Sequence, residues 1–449
     1  MKLIGNKLCK AVLLIIFSLN LISAAHSSDD TVQISIVELN NEQFKVSYTL
    51  NREVNRLYFH ATPNGARADF WFNESDQFEL VQVSDNDLIK RTDDGLFKTV
   101  SFIVKVVDIT LPQYYRPFSP MLDQSNGVVV HSGQYFVCLE LCSNASTSWQ
   151  VEVLAQDKNI VHFQGAFPDQ TSWQDIGDGR TFYVGPQLPL ESDNLMAVID
   201  SGLPDKLKAL LENRLPNIIN RLADKFETPP SKFNKPLVFA SYNVGDPERS
   251  GYQGGVLNQT ISMHWYGLNL EERINENAEL WFFTHEIAHL YQHLGSKVDV
   301  DEIAWVHEGF AELMAASLLL EVNDELNAYV QSRYNLAKDQ CAKGLKSTPI
   351  GRATELKEFD LHYKCGMLLH RFILNNAIEE LTVFDLWKRY RSAINQGELP
   401  SKQTYLKLIK PLLSEQKFLI LTTIVANELA PNSTIEQFLN AICSLIYVT

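Results

Sequence analysis

His285 and His289, four residues apart with Glu286 beside the first, are the residues whose types and spacing best suit this chain to chemistry. On a helix such a pair shares one face, so both imidazoles reach a single metal ion from adjacent turns. A carboxylate at the position of Glu286 lies over the metal's open site and can take a proton from water there without being a ligand. Two helical histidines need a third protein ligand from elsewhere, and a tetrahedral ion then keeps its fourth position for water.

The downstream candidates for that third ligand separate by context. A histidine six residues after His289 would suit the metzincin pattern, but Gly295 stands there, and Gln292 replaces the glycine of that pattern. Asp299 and Asp301 lack the residues that surround a ligand Asp in other zinc peptidases. Glu308 fits: it lies nineteen residues after His289 in the run AWVHEGFAEL, which reads as a second helix.

HExxH, eighteen residues, then Glu within W-x-x-E-G-F-A resembles the gluzincin signature, and the spacing is similar to that of the membrane alanyl aminopeptidase family. The resemblance implies one Zn2+ per chain held by His285, His289 and Glu308, with Glu286 as general base. Glu312, one turn after Glu308, takes the place of a carboxylate that orients a ligand histidine. Gly254-Gly255-Val256-Leu257-Asn258 falls where the family carries G-x-M-E-N, and the resemblance implies an edge strand bordering the cleft of a thermolysin-like lobe. Gly254, Gly255 and Asn258 are the substrate-binding candidates there. Leu257 stands in place of the Glu that holds a substrate's free amino terminus, and an apolar side chain cannot pair with an ammonium. Tyr363-Lys364-Cys365-Gly366 resembles the family's Y-x-K-G, with the lysine displaced by one position. By that resemblance the Tyr363 hydroxyl stabilises the oxyanion of the attacked carbonyl.

These residues require a helix from about Asn277 to Gly295, with Trp281, Ala288 and Tyr291 packed inward. His293 has rotated off the metal face; His264 and His307 lie near the site in sequence and are further candidates for substrate contact. Upstream, DKLKALLENRLPNIINRLADKF reads as an amphipathic helix interrupted near Pro216, KPLVFASYN as a strand, and GYQGGVLNQTISMHWYG as a turn leading into another strand. Downstream of about 325 the pattern is helical, and Arg371 with the KRYRSA basic residues reads as a solvated face. Residues 31 to 190 carry short β-branched runs broken by turn signals, where His60, His131 and His162 read as structural.

The expected fold is α+β multidomain: a signal peptide at 1–25, a β-sandwich-like domain at 26–190, a thermolysin-like catalytic domain at 191–335 and a helical region at 336–449. The signal reading rests on Lys2, Lys7 and Lys10, the apolar AVLLIIFSLNLI, and Ser23-Ala24-Ala25. The apolar run is too short to span a bilayer comfortably, so the mature chain is expected to have no stable membrane span. Removing it takes the formal charge from -15 to -18, which argues against nucleic acid or an anionic membrane surface as partner. Export to a periplasm or the medium permits disulfides, with Cys138–Cys142 and Cys341–Cys365 as sensible pairs. The function implied is hydrolysis of peptide bonds in a peptide or protein substrate, either aminopeptidase-like with another carboxylate receiving the amine or by cleavage of internal bonds. The alternatives are another zinc hydrolase, as in the leukotriene hydrolase branch, and a binding protein with a structural zinc.

Overall fold

The computed structural model describes residues 30–442 except 64, 85, 110, 112–114, 123–126, 143–146, 176, 228–234, 245–249, 293–299 and 323. The signal segment, Cys9, Cys443, His293 and Gly295 lie outside the described residues. A β-sheet amino-terminal region precedes a helical carboxy-terminal region, and the chain divides into two compact units.

The first unit comprises Met1–Val106, Ser132–Gln156 and Gln170–Gly179. Its strands Asp30–Asn40 and Gln43–Val54 alternate buried and exposed residues, the period-2 signature of a half-covered sheet. One pairing departs from the expected antiparallel arrangement: Asp30–Asn40 runs parallel to Thr147–His162, with Val32 opposite Trp149 and Ile36 opposite Val153. A parallel neighbour distant in sequence leaves no trace in local patterning. A second, four-stranded sheet joins Val137–Cys138, Arg56–Phe59, Asn86–Arg91 and Phe78–Val83. Cys138 and Cys142 form a disulfide there.

The second unit holds all the proposed site residues. Its five-stranded sheet runs Leu190–Glu191, Met196–Ile199, Leu237–Asn243, Thr260–Tyr266 and Gly251–Leu257 in spatial order. The three inner strands are parallel and the outer two antiparallel to their neighbours. Leu237–Asn243 is buried along almost its whole length because the sheet is covered on both faces. Val238, Ala240, Ile261, Met263 and Trp265 join the core made by the helices, while Leu237 and Phe239 pack with Val129 and Tyr183. The stretch expected as a turn before a strand is itself a hairpin. Gly251–Leu257 is the edge strand, and Asn258 turns the chain at φ 57°. Its glycines hid it from strand propensity.

The amphipathic helix, expected to be interrupted or bent near Pro216, is interrupted there by a change of helix type and not by a break. A π-type turn at Leu210–Arg214 joins Asp205–Ala209 to Leu215–Lys225 just before the proline, which lacks the N–H a regular helix would use. The HExxH helix spans Glu276–Tyr291. It starts at an Asn275 cap whose side chain accepts from the Asn277 and Ala278 amides at 3.1 and 3.2 Å. The following helix, Val300–Val322, carries Glu308 and Glu312. Its segment Glu302–Val322 is apolar and long enough to cross a membrane, yet 72% of it is buried inside the protein, as expected for a central core helix.

Val300–Val322 crosses Asp360–Asn376 at a pair of glycines. A Cβ on Gly309 would lie 2.3 Å from the backbone of Gly366, and one on Gly366 would lie 2.4 Å from the Trp305 carbonyl. Neither contact can be made by a residue with a side chain, so the two glycines set how closely these helices approach. Cys341, on Asn327–Gly344, is joined to Cys365 by the second disulfide. Gly309→Ala is expected to destabilise the protein by about 1–3 kcal/mol through overpacking, measured by chemical denaturation. An unchanged stability would mean that the helices separate without cost.

Candidate metal centre

Three donor atoms converge between the HExxH helix and Val300–Val322. His285 Nε2 and His289 Nε2 are 3.0 Å apart, and each is 3.2 Å from Glu308 Oε2. Donors about 2.0–2.1 Å from a tetrahedral ion stand roughly 3.3 Å from one another, so the triangle has the size of one face of a zinc site. His285, His289 and Glu308 form the group able to hold a metal among the described residues. The donor set of two imidazoles and one carboxylate fits zinc.

The His289 imidazole is fixed from behind, and a carboxylate approaches His285 from the same side. His289 Nδ1 lies 2.6 Å from Gln292 Oε1, so the ring donates there and turns Nε2 inward. Gln292 is held in turn by donating to the His307 carbonyl at 3.0 Å. Behind His285, Glu312 Oε1 stands 3.7 Å from Nδ1, an ion-pair distance. The other Glu312 oxygen accepts from Trp281 Nε1 at 2.8 Å, and Arg333 lies 3.8 Å from the first. Gln292, Trp281 and Arg333 were not singled out for these roles in the sequence. Gln292, one turn after His289 on the same helix face, carried a usable signal; Arg333, on a helix beyond the motif, carried none.

Electrostatics favours a cation at the centre. Burial would lower His289, but the Glu308 carboxylate outweighs it and raises the imidazole to about 9. Burial would raise Glu308, yet the two histidines pull its carboxyl well below the usual range. Without a metal, a proton is held among these groups, and an ion must displace it. Glu286 is next to His285 on the helix, and burial raises its carboxyl against the lowering influence of the two histidines. Tyr363 stacks its ring 5.6 Å from that of His285. Burial, followed by the carboxylates of Glu308, Glu286 and Glu312, raises its phenol, so it keeps its proton and is available as a donor.

The remaining candidates fall elsewhere. His307 is half-buried, its ring packing 5.3 Å from that of Trp387 while desolvation lowers it to about 4. His264 is buried on Thr260–Tyr266, its Nδ1 2.8 Å from Ser241 Oγ. Gly254 is demanded by packing, because a Cβ there would meet the Met263 sulfur at 2.1 Å and the Ser262 carbonyl at 2.2 Å. Gly255 has nothing within 4 Å of such an atom. Arg371, expected on a solvated face, is only 7% exposed. Its helix is enclosed on more sides than a charge pattern reveals. The neighbouring basic residues do face solvent, with Arg389 paired to Glu379 and Lys388 to Glu227.

Gln292→Ala is expected to weaken zinc binding by about 10–100-fold in chelator competition. Because His289 carries a proton below about 9, zinc affinity should also fall as pH is lowered from that value, by up to about tenfold per unit. Affinity indifferent to both would contradict the assigned geometry.

No protein-family model matches this chain, and no match is found among curated proteins. Solved structures do match. An M1 zinc metallopeptidase mutant from Deinococcus radiodurans, bound to a Tyr-Ser-Ala substrate, is 15% identical, with 90% of this chain and 95% of that one covered at a TM-score of 0.50. Native yeast LTA4 hydrolase is 11% identical, with 90% and 69% covered at 0.52. At such identities the likeness speaks for the fold: this chain resembles the M1 zinc metallopeptidases and LTA4 hydrolase in architecture along nine-tenths of its length.

Proposed function

We propose that the protein is an exported zinc-dependent metallopeptidase that hydrolyses peptide bonds with Glu286 as general base. The observation that carries this reading is the convergence of His285 Nε2, His289 Nε2 and Glu308 Oε2, with Glu286 kept on the same helix. A purely structural zinc has no need of a carboxylate beside its open position, so the binding-protein alternative leaves Glu286 unexplained. The match to structures titled as zinc metallopeptidases points the same way.

In this reading 191–335 is a thermolysin-like catalytic domain, flanked by a β-sandwich-like domain at 26–190 and a helical region at 336–449. The ion, when bound, polarises the scissile carbonyl and acidifies the attacking water. Glu286 accepts the proton of that water and delivers it to the departing amine. Tyr363, still protonated, donates to the oxygen on which negative charge develops. Gly251–Leu257, which has no strand on its outer side among the described residues, offers backbone groups for an extended peptide to pair with. Export rests on the sequence of residues 1–25, and the disulfides Cys138–Cys142 and Cys341–Cys365 suit an oxidising compartment.

Leu257 bears on the choice between internal and terminal cleavage. It gives no charge to a substrate's free amino terminus, so blocked or internal peptide bonds are the expected substrates. Purified mature protein should cut a mixed peptide library, and Glu286→Gln should keep its zinc while losing about 10²–10⁴-fold in kcat. Zinc retained by both with no cutting by either would sink the peptidase reading. Leu257→Glu should raise the preference for peptides with free amino termini, read from product masses; no change would remove this strand from amine recognition.

A further inference from the structure

On the face of the edge strand that carries Gln253, Gly255 and Leu257 lies a cavity of about 340 Å³. Its polar groups come from the hairpin itself. Gln253 pairs across the strands with His264, and Gly255 with Ser262, so all four project to one side. His264 is 1% exposed, and its Nε2 makes no hydrogen bond, standing 3.6 Å from Asp108 Oδ1. Ser262 Oγ and Gln253 Oε1 are likewise buried without a hydrogen-bond partner. Buried polar atoms left in this condition cost free energy that a ligand can return.

The charge beside the cavity is balanced. Arg116, which lines it, is ion-paired with Asp108, and among the described residues no Asp or Glu lines the cavity. Val129, Val130 and Leu257 supply apolar wall. Gly255 opens the space. No atom lies within 4 Å of where its Cβ would be, and it is not among the glycines with positive φ, so neither packing nor backbone conformation calls for glycine there. A side chain at that position would occupy the cavity.

An extended peptide paired with the edge strand directs alternate side chains to opposite faces. We propose that this cavity is the specificity subsite for one residue of the bound peptide. It takes a large side chain ending in a neutral hydrogen-bonding group, as in Gln or Tyr, and rejects charged tips such as Glu, Lys and Arg. Polar tips of that kind satisfy His264, Ser262 and Gln253, whereas a charged tip of either sign meets the Arg116–Asp108 pair, which already neutralises itself. The proposal rests on the peptidase reading for its substrate, and goes beyond it in naming the side chain selected.

The test uses the zinc-loaded Glu286→Gln protein, so that binding is read without cleavage. Blocked hexapeptides carrying Ala, Gln, Tyr, Glu or Lys at each position in turn are compared by competition against a fluorescent peptide. At one position Gln and Tyr should bind about tenfold or more tighter than Ala, and Glu and Lys should bind no better than Ala. Adding Gly255→Leu should bring the favoured peptides to within about threefold of Ala, with zinc content and thermal unfolding showing an intact fold. Discrimination that survives Gly255→Leu, or equal acceptance of Glu or Lys, overturns the subsite. Selective binding by this protein with no cutting by the wild type keeps the subsite and rejects the peptidase reading; no binding of any peptide rejects both.

Discussion

The constraint on which the site depends is the glycine-on-glycine crossing of Val300–Val322 and Asp360–Asn376. Gly309 and Gly366 meet with no room for a methyl group. Gly309 directly follows Glu308, and Gly366 lies one turn after Tyr363. The crossing therefore brings a ligand carboxylate from one helix and a phenol from another to the same point. A looser approach would move both by the width of a side chain, and catalytic geometry is sensitive to displacements of about 1 Å. The glycine inside HEGFA is thus a packing requirement as much as a motif letter.

Around that crossing, the HExxH helix collects charge that needs a partner. Glu286, Glu308 and Glu312 all influence Tyr363. Glu279, two turns before Glu286, is buried and raised to about 7 by desolvation. Isolated buried carboxylates are costly. Here Trp281 and Arg333 address Glu312, and the histidines address Glu308. The facing Nε2 atoms of His285 and His289 still share an arrangement that only a cation or a proton makes favourable. The outward-held Nδ1 of His289 shows the same orientation from the other side, through Gln292.

Much of this was legible in the sequence where chemistry depends on local spacing. The HExxH pair, Glu308 in a second helix, the helical carboxy-terminal pattern and both disulfide pairs could be read because helix period and motif offsets are local. The hairpin at Gly251–Tyr266 was half hidden, since glycines serve its close packing and its open cavity while weakening strand propensity. The parallel pairing of Asp30–Asn40 with Thr147–His162 and the burial of Arg371 depend on partners far away in sequence. His264 was already a candidate for substrate contact, but its grouping with Ser262 and Gln253 was beyond reach, because only cross-strand register turns them toward one space.

The central claim is that a single zinc ion sits among His285, His289 and Glu308. X-ray absorption at the zinc edge of the purified, zinc-loaded protein tests it most directly. The account predicts a low-coordinate shell of nitrogen and oxygen donors at about 2.0–2.1 Å, with scattering from two imidazole rings that is lost in a His285→Ala/His289→Ala double variant. Sulfur in the shell, or a zinc environment unchanged by that variant, would contradict it.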